Sequence, residues 1–549
     1  MAGFSEFFAE AHPRIEAWAA LSEPPLPLDS ILEAAELGGG LGTEQAASLM
    51  AWGRNPDHQA RIRAAASRAR RRWAGNAVEF IIPVYLTSFC QNECLYCGYR
   101  KSNPIAERIR LSLEDLGREL DVILAWGHRQ IELVLSEDPG LGPAELARYV
   151  ELTRRKLDGV GGGVIALCSP VYAEGDYARL REAGLDWVAE WQETYHQPHF
   201  DRWHSVGSPK REYEYRLDIW DRAIAAGLSK IGLGALLGLY DWRYDVLAAI
   251  EHGNYLRKTY ALEPHALGIP RLKPARGVLA SQKPSRFTVS DDDFRLIVSL
   301  YHLAFPRTRL FFNTREAYEL NLSMLAGGDL LTVDCETLPG GYLRPHLPGQ
   351  FSTHDYPSRR EVVAELERRG LSCRYLAAES ASPEAPPRLP EVRAMDLKRW
   401  SEDHQEIRSR LRDWESILAW LESGLSQRGE RQAAEAALRM VLHFLRTFVS
   451  EHCREEENVL FASFPGHATK EQLQDLRSYH ERFSVDLDRF DRQVASYQLS
   501  GDPSVLLTLG ARIIREAREH MEAEEALFEQ TPAARGENAR PLERAGSKP

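Results

Sequence analysis

The feature that most constrains the fold is a long alternation of strand-like and helix-like segments between about Val78 and Tyr375. It opens with VEFIIPVYLT, a short apolar run rich in β-branched residues, which is typical of a buried parallel strand. Amphipathic helical patterns then alternate with further apolar runs such as QIELVLSE, GGVIALC, KIGLGALLGL and RLFFNT. Because parallel strands need crossover connections, this alternation over roughly 300 residues predicts an α/β fold, a parallel sheet closed into a (β/α) barrel.

A proline-rich segment separates this predicted barrel from a different second half. Residues 1–75 have the pattern of a helical segment, and the barrel is predicted to occupy 76–376. The prolines of AAESASPEAPPRLPEV predict a stiff linker over 377–395. A 3.6-residue period then replaces the strands and predicts an all-α four-helix bundle over 396–530. The tail 531–549 has too little apolar content to pack and is predicted to be disordered.

Composition and charge exclude several classes of protein. A net charge of −12 and a pI of about 5.9 argue against general binding to nucleic acid or to an acidic membrane. No run reaches about 18 apolar residues and the start of the chain lacks an export signal, so we expect no membrane span and no secretion. Seven cysteines do not form a disulfide framework. These features together predict a cytoplasmic protein with reduced thiols.

Three cysteines cluster in FCQNECLYCGY, directly after the first predicted strand. Cys90, Cys94 and Cys97 are separated by three and two residues, and no fourth cysteine or histidine lies nearby in the sequence. Structural zinc sites and cubane clusters normally take four protein ligands. Three thiolates would leave one iron of a [4Fe–4S] cluster open to chelate S-adenosylmethionine and to cleave it reductively into a 5′-deoxyadenosyl radical. The alternatives are an incomplete zinc site and chance packing.

This spacing, with the aromatic Tyr96 before the third cysteine, resembles the radical SAM superfamily. The segment LVLSED, which ends the second predicted strand, matches the place of the Gly-Gly-Glu motif of that family, with Ser136 at a usual glycine position. The resemblance implies that Glu137 holds the methionine amino group of S-adenosylmethionine. It also implies a small-molecule substrate and an electron donor such as flavodoxin or ferredoxin.

Further segments resemble the aromatic amino acid lyases of that superfamily. WQETYHQPHF, KIGLGALLGLYDWRYD, PHALGIPRLKPARG and NTRE carry the likeness, which spans about residues 30–375. It implies cleavage of the tyrosine Cα–Cβ bond into 2-iminoacetate and p-cresol. By this resemblance Arg315 grips the substrate carboxylate with Asn313 beside it, Arg271 lines the site, and Glu193 lies near the adenosyl group.

Two features depart from the pattern of these lyases. Asn313 replaces a usual serine, and the 327–342 segment GGDLLTVDCETLPGGY differs from the usual one. Both changes fall where the substrate should sit, so tryptophan or another amino-acid-derived substrate remains an alternative. Cys373 stands alone where hydrogenase-maturing relatives have a Cys-x2-Cys pair, so formation of carbon monoxide and cyanide is not expected. Cys168 and Cys335 are predicted to be core thiols.

The helical second half contains an ordered set of histidines and carboxylates in EDHQEI, EHCREEENVLF, SYHERF and EHMEAEEALF. Two His-x3-Glu pairs place an imidazole and a carboxylate one helical turn apart on one face. Such a set suits two iron ions inside a bundle, with bridging carboxylates and terminal imidazoles. The predicted ligands are His404, His452, Glu456, His480, His520 and Glu524.

This pattern resembles hemerythrin-like (HHE) domains over about 396–530. Oxygen carriers of that family have a further His-x3-His pair in the third helix, but here Ser484 follows His480 by four positions. The resemblance therefore implies a diiron centre for sensing iron or oxygen, or for protecting the cluster, rather than oxygen carriage. His443 is a possible partner of a ligand. The alternatives are solvated histidines on helix faces and a regulatory protein with an idle barrel.

Overall fold

The computed structural model divides into two compact units, Met1–Pro390 and Glu391–Pro549. The structure describes residues 3–103, 106–275, 278, 286–343, 350–351, 353, 356–377, 397–423, 434–435, 437–439, 441–442, 444–449, 452–453, 456, 470–500 and 502–528. The predicted tail, His443 and all but the first residue of the predicted linker lie outside these ranges. No helix among the described residues is both long and apolar enough to cross a bilayer.

The first unit is built on a sheet of ten strands, every described pair of which is parallel. The strands are β1 (Ala77–Phe80), β2 (Ile82–Thr87), β3 (Gln130–Leu135), β4 (Val164–Cys168), β5 (Trp187–Ala189), β6 (Ile231–Gly234), β7 (Ala266–Gly268), β8 (Arg309–Phe312), β9 (Leu330–Leu331) and β10 (Ser372–Arg374). Most are fully buried, as expected for a parallel sheet covered by helices.

The order of the strands shows how the sheet curves into a barrel-like arrangement. It runs β10-β1-β9-β8-β7-β6-β5-β4-β3-β2, with β1 near one end and β2 at the other. Only Ile81 separates β1 from β2 in the chain, and its N–H donates to the carbonyl oxygen of Leu331 in β9 at 3.1 Å. β1 thus pairs with β9 and the following β2 pairs with β3, and the predicted parallel (β/α) architecture is confirmed as a barrel-like sheet with β10 and β2 at its ends. The short strands β9 and β10 were not predicted, because two or three residues carry no readable periodicity.

Helices connect the strands and cover the barrel, and four more precede it. Serine side chains cap several of them; the Ser112 hydroxyl, for example, accepts from the N–H of Asp115 at 3.0 Å. The helices of the first unit are α1 (Phe4–Ala19), α2 (Leu28–Ala34), α3 (Thr43–Trp52), α4 (Pro56–Trp73), α5 (Leu113–Ala125), α6 (Pro143–Asp158), α7 (Glu174–Glu182), α8 (Gln197–Trp203), α9 (Tyr213–Leu217), α10 (Ile219–Ala225), α11 (Trp242–Tyr260), α12 (Asp291–Ala304), α13 (Tyr318–Met324) and α14 (Arg359–Arg368).

The N-terminal helices share one hydrophobic core with the barrel. In the basic helix α4, Arg70 is fully buried and donates to the carbonyl oxygens of Pro306 (2.9 Å) and Thr308 (2.7 Å) and to the Asp329 carboxylate (2.7 Å). A buried guanidinium is tolerated only when its donors are satisfied in this way. Arg70 thus fixes the N-terminal helices to the barrel near its last strands.

The second unit contains three long described helices, α15 (Leu397–Glu422), α16 (Lys470–Ser500) and α17 (Ser504–Phe528), and a π-helical turn, Leu445–Val449. Their apolar faces form a separate core that includes Leu411, Trp414, Phe490 and Ile513. The observed architecture is a helical bundle around buried polar residues, in agreement with the predicted second half.

Candidate active site and candidate metal centre

The three cysteines lie in the loop that follows β2, at the carboxyl end of the barrel strands, where barrel enzymes place their active sites. Arg108 holds this loop by donating to the carbonyl oxygens of Ser88 (2.5 Å), Tyr99 (2.8 Å) and Arg100 (2.6 Å). Five donors in a rigid fork allow one guanidinium to bind several carbonyl groups. Sequence analysis did not identify Arg108, because its partners are backbone atoms.

The cysteines fit an iron–sulfur cluster better than a single metal ion. Cys90, Cys94 and Cys97 line one cavity of about 200 Å³. Their sulfurs are not among the sets of three described ligand atoms that lie within 4.8 Å of one another, whereas the sulfurs of a tetrahedral zinc site would be. Burial raises the pKa of Cys90 to about 11 and the pKa of Cys94 further still. Their thiolates therefore need a cationic partner, which cluster iron supplies.

Most other predicted site residues line the same cavity. Tyr96 has its hydroxyl 2.8 Å from Nε2 of His204. The Asn92 amide donates to the Glu137 carboxylate at 3.3 Å and so connects the cysteine loop to the end of β3. Glu193 has a left-handed φ of 72° and forms an ion pair with Lys210. A non-glycine residue in this region is strained, and such strain is concentrated at functional sites.

Arg315 lies on the same cavity and keeps its guanidinium available. Within the described part of the chain, its side chain has no hydrogen-bond or ion-pair partner, and its guanidinium carbon lies 3.4 Å from the ring centroid of Phe351. The Arg315 N–H donates to the Asn313 side-chain oxygen at 3.0 Å, which orients the backbone after β8. Burial lowers the pKa of Arg315, and nearby groups such as Tyr85 and Glu193 oppose this shift only in part. A carboxylate ligand would satisfy this cation.

Arg271 does not line the cavity, contrary to the role implied by the family resemblance. Its guanidinium pairs with Glu316 (Nε to Oε1, 3.0 Å) and with Asp291 (2.8 Å). The neighbouring Lys273, which does line the cavity, lies 3.0 Å from the same Glu316 carboxylate. Burial alone would raise the pKa of Glu316, but Arg271 and Lys273 hold it at about 2. Arg271 therefore serves an internal ion-pair network.

The cavity also contains residues that the sequence did not assign to it. Cys168 and Cys335 were predicted to be core thiols, but both line the cavity, because the inner face of β4 and the segment after β9 open onto it. The carboxylates of Glu132 and Glu190 line it as well. Both glutamates fall within predicted strands, and a single charged residue in a strand does not indicate where its side chain lies in the fold.

The six predicted ligands of the bundle converge inside the second unit. Glu456 is the centre of the set: its Oε1 lies 3.0 Å from Nε2 of His452 and 3.5 Å from Nε2 of His404, and its Oε2 lies 3.6 Å from Nε2 of His480. Glu524 mirrors it, with Oε2 3.3 Å from His404 and Oε1 3.1 Å from His520. Each carboxylate thus faces imidazoles on both sides, as a bridging ligand of two ions does.

The chemistry of these donors fits iron. His404 Nε2, His452 Nε2, Glu456 Oε2 and Glu524 Oε1 are buried and have no hydrogen-bond partner in the described chain. Burial would lower the pKa of His404, but the Glu456 and Glu524 carboxylates raise it to about 9. Buried imidazole and carboxylate atoms that point at one another can be satisfied by metal cations between them. Imidazole and carboxylate are ligands that suit iron.

Carboxylates also orient two of these imidazoles from behind. His452 Nδ1 lies 3.3 Å from Asp403 Oδ2, and His404 Nδ1 lies 3.0 Å from Glu525 Oε1. This contact directs the Nε2 lone pair toward the metal and makes the imidazole a stronger ligand. Sequence analysis missed both carboxylates, although Asp403 immediately precedes His404 and Glu525 follows Glu524.

We expect Asp403→Asn to weaken metal binding by about ten- to a hundredfold, because His452 loses the anion that orients and polarises it. Iron released to a calibrated chelator measures the affinity. Asp413→Asn on the same helix is the matched control, since Asp413 is partly exposed, contacts Arg410 (3.3 Å) rather than a predicted ligand, and should leave the affinity unchanged. Equal iron retention in the two variants would contradict this role.

Comparison with known proteins agrees with the geometry of both units. Residues 84–249 match the radical SAM superfamily, and residues 395–531 match the hemerythrin HHE cation binding domain. The 2-iminoacetate synthase of Escherichia coli (strain K12) is 34% identical over 313 residues, which cover 56% of this chain and 79% of that protein. A crystal structure of HydG, a maturase of the [FeFe]-hydrogenase, superposes with a TM-score of 0.60 at 25% identity and covers 83% of this chain and 97% of that one.

A second HydG structure, from Carboxydothermus hydrogenoformans, shares the fold with a TM-score of 0.57 at 23% identity, over 82% of this chain and 96% of that chain. The first unit is thus a barrel enzyme with a three-cysteine loop at its rim. The chain belongs to the radical SAM superfamily, whose chemistry depends on a [4Fe–4S] cluster, S-adenosylmethionine and a reductant, and it has lyases among its relatives. Its second unit contains an iron-binding hemerythrin HHE domain.

Proposed function

We propose that the barrel cleaves the Cα–Cβ bond of an aromatic amino acid, with tyrosine as the first candidate, to give 2-iminoacetate and p-cresol. The observation that carries this proposal is the guanidinium of Arg315, which pairs with no described residue and lines the same cavity as the three cysteines. The 2-iminoacetate synthases among the relatives support the reaction class. A one-electron donor of the flavodoxin or ferredoxin type is the proposed partner.

When bound, the cluster and S-adenosylmethionine supply a 5′-deoxyadenosyl radical that takes hydrogen from the substrate. The chain's own residues determine which hydrogen is within reach. Arg315 offers a planar, two-pronged clamp for the substrate carboxylate, and this clamp fixes the amino group beside it. Asn313 orients the backbone of Arg315, and the ring of Phe351 supports the guanidinium. The clamp is therefore held in place before the substrate binds.

Apolar walls on the same cavity suit an aromatic side chain. Pro83, Val134, Trp191 and Phe311 line it. They exclude water from the reacting region, which strengthens the polar contacts that remain. The ring of tryptophan would contact the same apolar residues. Anaerobic incubations with each amino acid therefore distinguish the two candidate substrates by the products that form. An idle barrel would give no product with any of them.

Arg315→Lys should lower amino-acid turnover by roughly a hundredfold, because a point charge cannot reproduce the planar fork and a small misplacement of the substrate is costly. Anaerobic assays with tyrosine and reconstituted enzyme measure 2-iminoacetate, as glyoxylate, and p-cresol. Arg309→Lys is the matched control. Arg309 begins β8, the strand that precedes Arg315, and its guanidinium pairs with Glu79 (2.6 Å), so this variant should keep wild-type turnover.

Reductive cleavage of S-adenosylmethionine without amino acid verifies that the Arg315→Lys protein still carries its cluster. Tyramine, which lacks the carboxylate, should react poorly with the wild type. The clamp is disproved if Arg315→Lys matches the wild type with every amino acid, or if tyramine reacts as well as tyrosine.

For the second unit we propose a diiron centre that protects the barrel from oxygen or makes its activity depend on iron. The two carboxylates that each face imidazoles on both sides support a two-ion site. An iron–sulfur cluster with an open iron position is destroyed by oxygen. A bundle that protects the cluster would explain why the two units are joined in one chain. Metal analysis of the purified bundle ligand variants tests the stoichiometry.

A further inference from the structure

Glu132 is a buried carboxyl group that faces the active-site cavity and has no partner within the described part of the chain. It is the third residue of β3, its side chain lines the cavity, and it is 5% exposed. No described residue forms a hydrogen bond or an ion pair with it. A buried carboxyl group left in this state destabilises the fold, so a carboxyl retained there calls for a ligand.

The neighbouring Glu190 has polar contacts in this cavity that Glu132 lacks. Glu190 accepts from the Ser169 N–H at 2.7 Å and lies 3.6 Å from Arg216. Glu132 has neither kind of contact. Burial, together with the nearby Glu190 carboxylate, raises the pKa of Glu132 to about 8. Near neutral pH Glu132 is therefore mostly an uncharged acid that can still accept a hydrogen bond.

Glu132 lies deeper in the barrel than the groups that serve the cofactors. It lies within β3 and precedes Glu137 by five positions, whereas Glu137 lies beyond the end of that strand, beside the cysteine loop. Burial is the main cause that raises the pKa of Tyr85; Arg315 opposes the shift and Glu132 adds to it. Tyr85, Arg315 and Glu132 all line the same cavity, so Arg315 and Glu132 face a single binding space.

Resting on the proposed function, we propose that Glu132 forms the subsite for the substrate side chain and accepts a hydrogen bond from the phenol O–H of tyrosine, while Arg315 holds the carboxylate. Arg315 and Glu132, neither of which pairs with a described residue through its side chain, then match the two polar ends of one molecule, and the apolar residues of the same cavity receive its ring. Glu132 is in this view the residue that distinguishes tyrosine from phenylalanine.

A neutral donor fits this subsite better than a cationic side chain. A lysine ammonium would need an ionised Glu132, which burial and Glu190 oppose. A phenol needs no charge on its partner, and its ring matches the walls formed by Val134, Trp191 and Phe311. Binding of lysine in preference to tyrosine would overturn the proposal.

The test compares dissociation constants for L-tyrosine, L-phenylalanine and L-lysine, measured anaerobically on enzyme with cluster and S-adenosylmethionine bound. Wild type should prefer tyrosine to phenylalanine by about ten- to a hundredfold, the effect of one hydrogen bond to a buried acid. Glu132→Leu should bring that ratio close to one. Glu132→Gln, whose amide oxygen still accepts, should keep most of the preference.

Glu132→Leu is also expected to fold well, because it removes an unsatisfied acid. The pKa of Glu132 is raised from an ordinary 4.5 to about 8 in the folded chain, so the unfolded chain ionises first as pH rises. Wild-type stability relative to Glu132→Leu should therefore fall between about pH 4.5 and pH 8.

The outcomes separate this inference from the proposed function. If amino acids bind through Arg315 but Glu132→Leu leaves the tyrosine-to-phenylalanine ratio unchanged, the subsite is wrong and the clamp stands. If no amino acid binds, or if Arg315→Lys changes none of the constants, the proposed function fails and the subsite fails with it.

Discussion

Cys94→Ala is expected to abolish the formation of 5′-deoxyadenosine from S-adenosylmethionine. Cys94 is buried beside Lys210 and Glu193, in the interior part of the three-cysteine loop. Without its thiolate the cluster keeps two protein ligands, too few to hold a cubane and leave one iron open. Anaerobic incubation of reconstituted, reduced protein followed by chromatography of the nucleosides measures the product.

Cys373→Ala provides the matched control, because Cys373 lies on β10 and outside the cavity. It should retain about four irons in the barrel and wild-type nucleoside formation. Cys168 and Cys335 are unsuitable controls, since both line the cavity. If a variant with alanine at Cys90, Cys94 and Cys97 still produced 5′-deoxyadenosine, the proposed assignment of these thiolates to the cluster would be untenable.

The barrel could be predicted because its signals are repeated along the chain. Each long strand such as β3 or β8 is an apolar run between amphipathic helices, and alternation over many units leaves few other topologies. The short strands β9 and β10 escaped notice, because they are set by pairing with β1 rather than by local periodicity. The contact of Ile81 with β9 likewise depends on pairing and has no sequence signal.

The candidate site could be predicted where the spacing of residues in the sequence determines how close they lie in the fold. The cysteine spacing lies in one loop, and the His-x3-Glu pairs each lie on one helical turn, so their convergence could be anticipated. Arg271 and Arg315 looked alike in the sequence. Which guanidinium is free depends on Glu316, and that carboxylate pairs with Arg271 only in the folded chain. For the same reason Glu132 and Asp403 were missed.

Exchanging His452 and Glu456 together for alanine should empty the bundle of iron and shorten the life of the barrel in air. Glu456 lies within 3.6 Å of imidazole nitrogens from His404, His452 and His480, so its loss removes a ligand from both proposed ions. Because both units belong to one chain, their effective concentration toward each other is high, so protection would not depend on total protein concentration. Metal analysis measures the iron, and the half-life of 5′-deoxyadenosine formation after a pulse of air measures protection.

Anaerobic activity should survive the double substitution, because the cysteines and Arg315 belong to the other compact unit with its own core. The matched control removes an exposed ion pair of the bundle, Arg439→Ala with Asp491→Ala, whose atoms lie 3.5 Å apart and more than ten positions along the chain from every predicted iron ligand. That variant should keep its iron and decay in air as the wild type does. Identical decay in all three proteins, with iron loss verified for the His452 and Glu456 exchange, would exclude protection and leave iron or oxygen sensing as the role of the bundle.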